Sequence, residues 1–261
     1  MILAGLALAR RIEAAEAANA IACARAQEGS GAAVEHVAGG CAVFAGVNSM
    51  LTHALALGLN GPVHAGEIAR LEEFFRARGA PVAIDLCPYA HPTLLEILGP
   101  RGYAVAEFHT VLARGLAGEQ PEAPGPRVRE CVPAEIDLWA KTVASAFFER
   151  AELSPEETGA GQTIFHTPGS RCFLACSADG RPAAGAAMSV QEGLATLFAD
   201  GTVPGFRNTG LHTALIQARV NAAIAAGCDM AAASTQPGSV SQRNYERLGF
   251  RVVYTKVGLT A

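Results

Sequence analysis

The run Thr202-Val203-Pro204-Gly205-Phe206-Arg207-Asn208-Thr209-Gly210-Leu211-His212-Thr213-Ala214-Leu215 holds the residues best suited to chemistry. An apolar strand enters a Pro/Gly turn, an Arg-x-x-Gly loop follows, and a helix starts at once. The first turn of a helix leaves about four backbone N–H groups without intrahelical partners. Its dipole adds roughly half a positive charge. With a glycine that lets a ligand come close, this makes a site for a phosphate or pyrophosphate. The spacing narrows the kind. A Walker loop needs Gly-Lys-Ser/Thr, which does not occur. A dinucleotide fingerprint needs G-x-G-x-x-G and an acidic residue about 20 positions later. The loop has one of those glycines, and no acidic residue lies between Asp200 and Asp229. Taken alone, the run is equally an ordinary strand-to-helix turn.

The elements around the loop give it context. Leu211, Ala214, Leu215, Ala218, Ala222 and Ala225 make one apolar face of a helix over 211–226, stopped by Gly227. Residues 228–234 read as a short buried strand, and Pro237-Gly238 breaks the chain. Ser239 or Ser241 caps a second helix ending at Leu248. Gly249-Phe250 opens a last strand over 251–257.

The Arg-x-x-Gly loop and the segment Tyr245-Glu246-Arg247-Leu248-Gly249-Phe250, in this order and at these separations, resemble the GCN5-related N-acetyltransferase (GNAT) superfamily over about residues 127–261. The resemblance implies acetyl-CoA as co-substrate, its diphosphate held by Arg207, Asn208, Thr209, Gly210, Leu211, His212 and Thr213. It implies direct attack of an amine on the thioester in a ternary complex. Two strands are expected to splay, with pantetheine in the gap and a backbone N–H near Ala199, Gly201 or Thr202 facing the oxyanion. Such a donor is often worth about 3 kcal/mol. Tyr245 matches the tyrosine that serves the departing thiolate, since a phenol stays protonated at neutral pH. Asn244 and Tyr254 are alternatives for that role, and Asn244 is also expected at the cofactor. Two positions depart from the family. His212 stands where Gly or Ala is usual and is expected to turn outward to the rim. Gly238 stands where asparagine is frequent, which leaves a pantetheine hydrogen bond to Ser239 or Ser241. No general base is identified. Thr196 holds the family glutamate's place, Asp200 and Glu192 lie nearby, and Glu149 and Glu152 are read as helical.

Composition bounds the alternatives. At 261 residues and 50% apolar, the chain has room for two domains with real cores. A net charge of −4 without a basic stripe gives no support to nucleic-acid binding. Seven scattered cysteines without a C-x-x-C pair read as reduced thiols of a cytoplasmic protein. The apolar start lacks a basic leader, and no apolar run nears the roughly 20 residues of a membrane span. No metal motif such as H-E-x-x-H is present, so no metal is expected.

Residues 118–126, rich in Pro and Gly, read as a linker between domains at 1–117 and 127–261. An echo crosses it. In the first half, a helix over 67–78 ends at Gly79, a strand covers 82–87, a short helix covers 92–98, and Gly102-Tyr103 opens a strand over 104–112. Gly79 and Gly102 stand almost as far apart as Gly227 and Gly249. The fold class expected is therefore α/β, of α+β mixed-sheet type: two GNAT-like domains in tandem, with mostly antiparallel central sheets flanked by helices. The first copy has Pro62 and His64 where amide donors are wanted, and proline has none. It reads as a degenerate domain without a CoA loop that walls part of the acceptor pocket. An unrelated α/β domain is the other reading. The acceptor is expected to be a small-molecule amine, chosen by residues 147–173 and by the first domain. The identity of the acyl group and the formation of a homodimer are open, and a non-catalytic CoA sensor is the rival function.

Overall fold

The computed structural model describes residues 2–27, 29, 31–122, 125 and 127–261. The elements are α1 (Leu6–Arg25), β1 (Ala33–Val37), β2 (Gly40–Phe44), β3 (His53–Leu55), α2 (Ala65–Arg76), β4 (Ala83–Leu86), α3 (Pro92–Leu98) and β5 (Ala104–Gly115). Then follow β6 (Val128–Glu130), α4 (Ile136–Phe147), α5 (Pro155–His166), β7 (Arg171–Cys176), β8 (Pro182–Gln191), β9 (Leu194–Thr202), α6 (Leu211–Ala225), β10 (Met230–Thr235), α7 (Val240–Arg247) and β11 (Arg251–Thr260). They form two compact units. The N-terminal unit comprises Leu3–Val111 and Val252–Ala261, and the C-terminal unit comprises Leu112–Arg251 with Ile2. Ala123, Pro124 and Pro126 of the expected linker lie outside the described residues.

In the N-terminal unit, β1, β2 and β3 pair antiparallel and β4 joins β3 in parallel, after the crossover through α2. In the C-terminal unit, β6 to β9 pair antiparallel and β10 joins β9 in parallel, after the crossover through α6. A parallel pair needs such a crossover, whereas antiparallel neighbours need only turns. The echoed glycines mark matching points of this plan. Gly79 and Gly227 follow helices, Gly102 and Gly249 precede strands, and all four have φ between 67° and 85°. The mixed sheets and their helices agree with the fold class read from the sequence.

The closing strand differs from the expectation. From Val252 onward β11 belongs to the N-terminal unit, where it pairs antiparallel with β4. In the C-terminal unit the neighbour of β10 is the end of β5, from Leu112 onward. Both strands mix apolar and polar residues, and alternation within a strand carries no information about its partner.

Each unit has its own core. Leu71, Phe75, Ile84 and Leu94 anchor the first, and Met188, Leu215, Val220, Tyr245 and Phe250 anchor the second. Helix α6 buries Leu211, Leu215, Ile216, Arg219, Val220, Ala222 and Ala223. Ala214 and Ala218 are only half-buried and Ala225 is exposed. The helix is apolar around most of its circumference, so periodicity could not fix its inner face. No helix of the described residues is long and apolar enough to cross a membrane.

Candidate active site

The site starts from a parting of strands. β9 and β10 are paired only from Leu194↔Met230 to Leu197↔Ala233. β9 runs on to Thr202, held on its other edge by β8. Ala199, at φ 56°, sits where the β8 register shifts between Gly185 and Ala187. Such a bulge bends a strand and re-aims the residues beyond it. Past this point Gly201 faces α4 closely: a Cβ there would fall 2.7 Å from the Ala146 Cβ. Asp200 and Thr202 then share the opposite face. The Val203 N–H donates to the Ala183 carbonyl at 2.9 Å. By the alternation of strand amides, the Thr202 N–H turns to the free edge.

The loop follows directly. A 3-10 turn over Pro204–Phe206 leads to Arg207. Asn208 takes φ 62°, a left-handed conformation asparagine tolerates better than most residues. Gly210 (φ 81°) begins α6 without a side-chain cap. The Thr209 hydroxyl donates to the Phe206 carbonyl at 2.6 Å. Among the described residues, no backbone amide of 208–213 donates to a protein acceptor. Two guanidinium groups flank these amides. Arg207 Nη2 lies 2.8 Å from Glu149 Oε1, and Arg127 Nη1 donates to the Thr209 carbonyl at 3.4 Å.

A buried network lies beneath. Arg219 is 0% exposed and spans from α6 to Asp200, pairing with both carboxylate oxygens. Its Nε donates to the Leu215 carbonyl at 3.1 Å and its Nη1 to the Ala187 carbonyl at 3.0 Å. Tyr245 is 1% exposed; its hydroxyl donates to Asp200 and accepts from Arg219 Nη2 at 3.3 Å. His212 Nε2 lies 3.2 Å from Asp200 Oδ2, and Asn244 Nδ2 lies 3.0 Å from His212 Nδ1. Burial alone would raise the Asp200 carboxyl, but the Arg219 charge and the hydrogen bonds from His212 and Arg219 hold it below the ordinary carboxylate range. Burial pushes the Tyr245 phenol well above its ordinary value. The Arg219 charge opposes that shift, and the nearby Asp200 charge adds to it.

The structure brings most of the expected residues together. Ala199, Gly201 and Thr202 line the parted strand, residues 207–213 form the loop, and Asn244 and Tyr245 approach from α7. Three expectations change. His212 does not turn outward, because Asp200 and Asn244 hold its ring inward with the side chain 16% exposed. The Tyr245 hydroxyl is not free, since its proton is committed to Asp200. Glu149 and Glu152 are not on a helix: Glu149 takes φ 56° after α4, and Glu152 precedes α5. Tyr254 lies in the N-terminal unit, where its hydroxyl donates to Glu13 at 2.8 Å. Sequence reasoning missed Arg219 and Arg127. An arginine four residues after Leu215 on a helix rich in alanine was the available signal for the first, and nothing marked the second.

The sequence of residues 137–250 matches the model of the acetyltransferase (GNAT) family. This stretch is a GNAT acetyltransferase domain. Solved GNAT structures share the fold. A GCN5-related N-acetyltransferase from Kribbella flavida superposes with a TM-score of 0.68 at 18% identity, over 96% of this chain and 94% of that one. A GCN5-related N-acetyltransferase from Sphaerobacter thermophilus gives a TM-score of 0.53 at 18% identity, over 70% of this chain and 59% of that one. A tandem GNAT protein from the clavulanic acid biosynthesis pathway gives 0.56 at 16% identity, over 80% and 74%. No curated protein matches the sequence.

Proposed function

We propose that the chain transfers an acetyl group from acetyl-CoA to the amine of a small acceptor, with one working site in the C-terminal unit. The observation that carries this is the set of open amides at 208–213, beside two guanidiniums and a strand that has left its partner. Backbone donors at a helix start and arginine forks suit a diphosphate. The free edge of β9 suits an extended arm bearing amides, which adds to it as a strand would. The Thr202 N–H, turned to that edge, is the donor for the oxyanion. Arg207 must exchange Glu149 for the diphosphate.

The N-terminal unit reads as the copy without a CoA site. At the start of α2 the Val63 N–H donates to Thr93 Oγ1 at 2.8 Å and the His64 N–H to Glu67 Oε2 at 2.9 Å. These amides already have partners, and Pro62 has none to offer.

One observation favours the rival reading of a non-catalytic CoA sensor: the Tyr245 hydroxyl is engaged inside the protein. Thiol release from acetyl-CoA across a broad panel of small amines separates the two. The enzyme releases thiol in proportion to acylated amine. Binding of acetyl-CoA without turnover on any amine assigns the chain to the sensor class.

A further inference from the structure

Tyr245 cannot lend its proton without giving up Asp200, so a departing thiolate needs another donor. On the same side of the sheet two hydroxyls have no partner among the described residues, those of Thr202 and Thr235. Ala231 and Ala233 of β10 pack in the same core cluster as Tyr245 and Phe250. Alternate residues of a strand share a face, so Thr235 faces that side too. It stands two residues beyond Ala233, the last β10 residue paired with β9. Thr235 is 6% exposed, and its Oγ1 is buried with no acceptor or donor among the described residues. A buried hydroxyl left unpartnered is costly, and most are paired. Thr202 lies on β9 next to the anion loop, whereas Thr235 lies on the other wall of the parting.

We propose that the Thr235 hydroxyl is a catalytic residue, donating a hydrogen bond to the sulfur of coenzyme A as it leaves as a thiolate. The inference rests on the proposed CoA site. In the step it serves, the acceptor nitrogen forms a bond to the carbonyl carbon and the C–S bond breaks, its electron pair going to sulfur. The proton lost by the nitrogen passes to water and balances the thiolate charge. Thr235 keeps its own proton throughout. The residue therefore stabilises charge that appears only as the bond breaks, which is where catalysis gains.

The test needs no acceptor. The full chain is titrated calorimetrically with CoA and with desulfo-CoA, which lacks the sulfur, at pH 6.5 and pH 9. A free thiol ionises at roughly pH 8.5, so a donor aimed at the sulfur favours CoA over desulfo-CoA more at the higher pH. A hydrogen bond to a charged group supports a gain of about tenfold. In Thr235→Val the gain disappears and desulfo-CoA affinity stays unchanged, while Thr235→Ser keeps the gain. Thr235→Ala repeats the measurement should the valine variant fail to fold. A gain that survives in the folded valine or alanine variant, or no gain in the unmodified protein, overturns the inference while the CoA site stands. Failure of the unmodified protein to bind either nucleotide overturns the CoA site itself and this inference with it.

Discussion

Arg219→Met should destabilise the C-terminal unit severely. Arg219 is fully buried, and its side chain donates to the Leu215 and Ala187 carbonyls as well as to both oxygens of Asp200. Methionine matches the stem but leaves Asp200, 11% exposed at its side chain, without its countercharge. Removing one member of a buried pair costs about 3–5 kcal/mol. At a urea slope of about 2 kcal/mol per molar, the midpoint falls by about 2 M. Trp139 is the chain's single tryptophan and is buried in this unit, so its fluorescence reports the right transition. The double variant Arg219→Met with Asp200→Leu removes both charges and should recover much of the loss. The sign with pH follows from the depressed Asp200 carboxyl. Its stabilisation is complete above the unfolded value of about 4 and is lost as the pH falls toward the lower folded value. That acid-side dependence should vanish in Arg219→Met. A single variant within about 0.5 M urea of the parent, or a double variant no better than the single, would show that this pair does not hold the site together.

Other consequences are open to measurement. Glu149→Gln removes the carboxylate that holds Arg207 and should tighten acetyl-CoA binding about threefold by calorimetry, with little change in stability because the pair is exposed; unchanged or weaker binding argues against competition between Glu149 and the diphosphate. Glu13 is pushed up to about 7, chiefly by burial, against the Lys256 charge and with the Glu16 charge adding to it. Its folded value lies above the unfolded one, so the N-terminal unit loses stability as the pH rises from about 4.5 through 7, by at most about 3 kcal/mol. Urea melts of Glu13→Gln followed by circular dichroism should be flatter over that window; an unchanged slope places the titration elsewhere.

The loop and its surroundings were legible because each rests on local rules. Gly210, Gly227 and Gly249 occupy left-handed backbone, Ser239 caps α7 by accepting from the Gln242 N–H, and Pro92 starts α3. These signals act over a few residues, and a sequence displays them directly. Partners far apart in the chain were not legible. Nothing in Val257-Gly258-Leu259-Thr260 says that this stretch pairs with β4. Nothing in Asp200 says that Arg219 will bury against it, because an acidic residue on a strand and an arginine on a helix are ordinarily solvated. His212 shows the same limit. Its position just after the Arg-x-x-Gly loop could be read from the chain, but its direction depended on Asp200 and Asn244 meeting it from two other elements.

The proposed activity depends on the amides opening α6 gripping the diphosphate of coenzyme A. Amide NMR of the nitrogen-labelled chain during titration with CoA tests it most directly. A diphosphate held there produces large, saturable shifts at Gly210, Leu211, His212 and Thr213, all lost in Gly210→Glu. Binding that leaves these amides unmoved and shifts another helix start instead would contradict it.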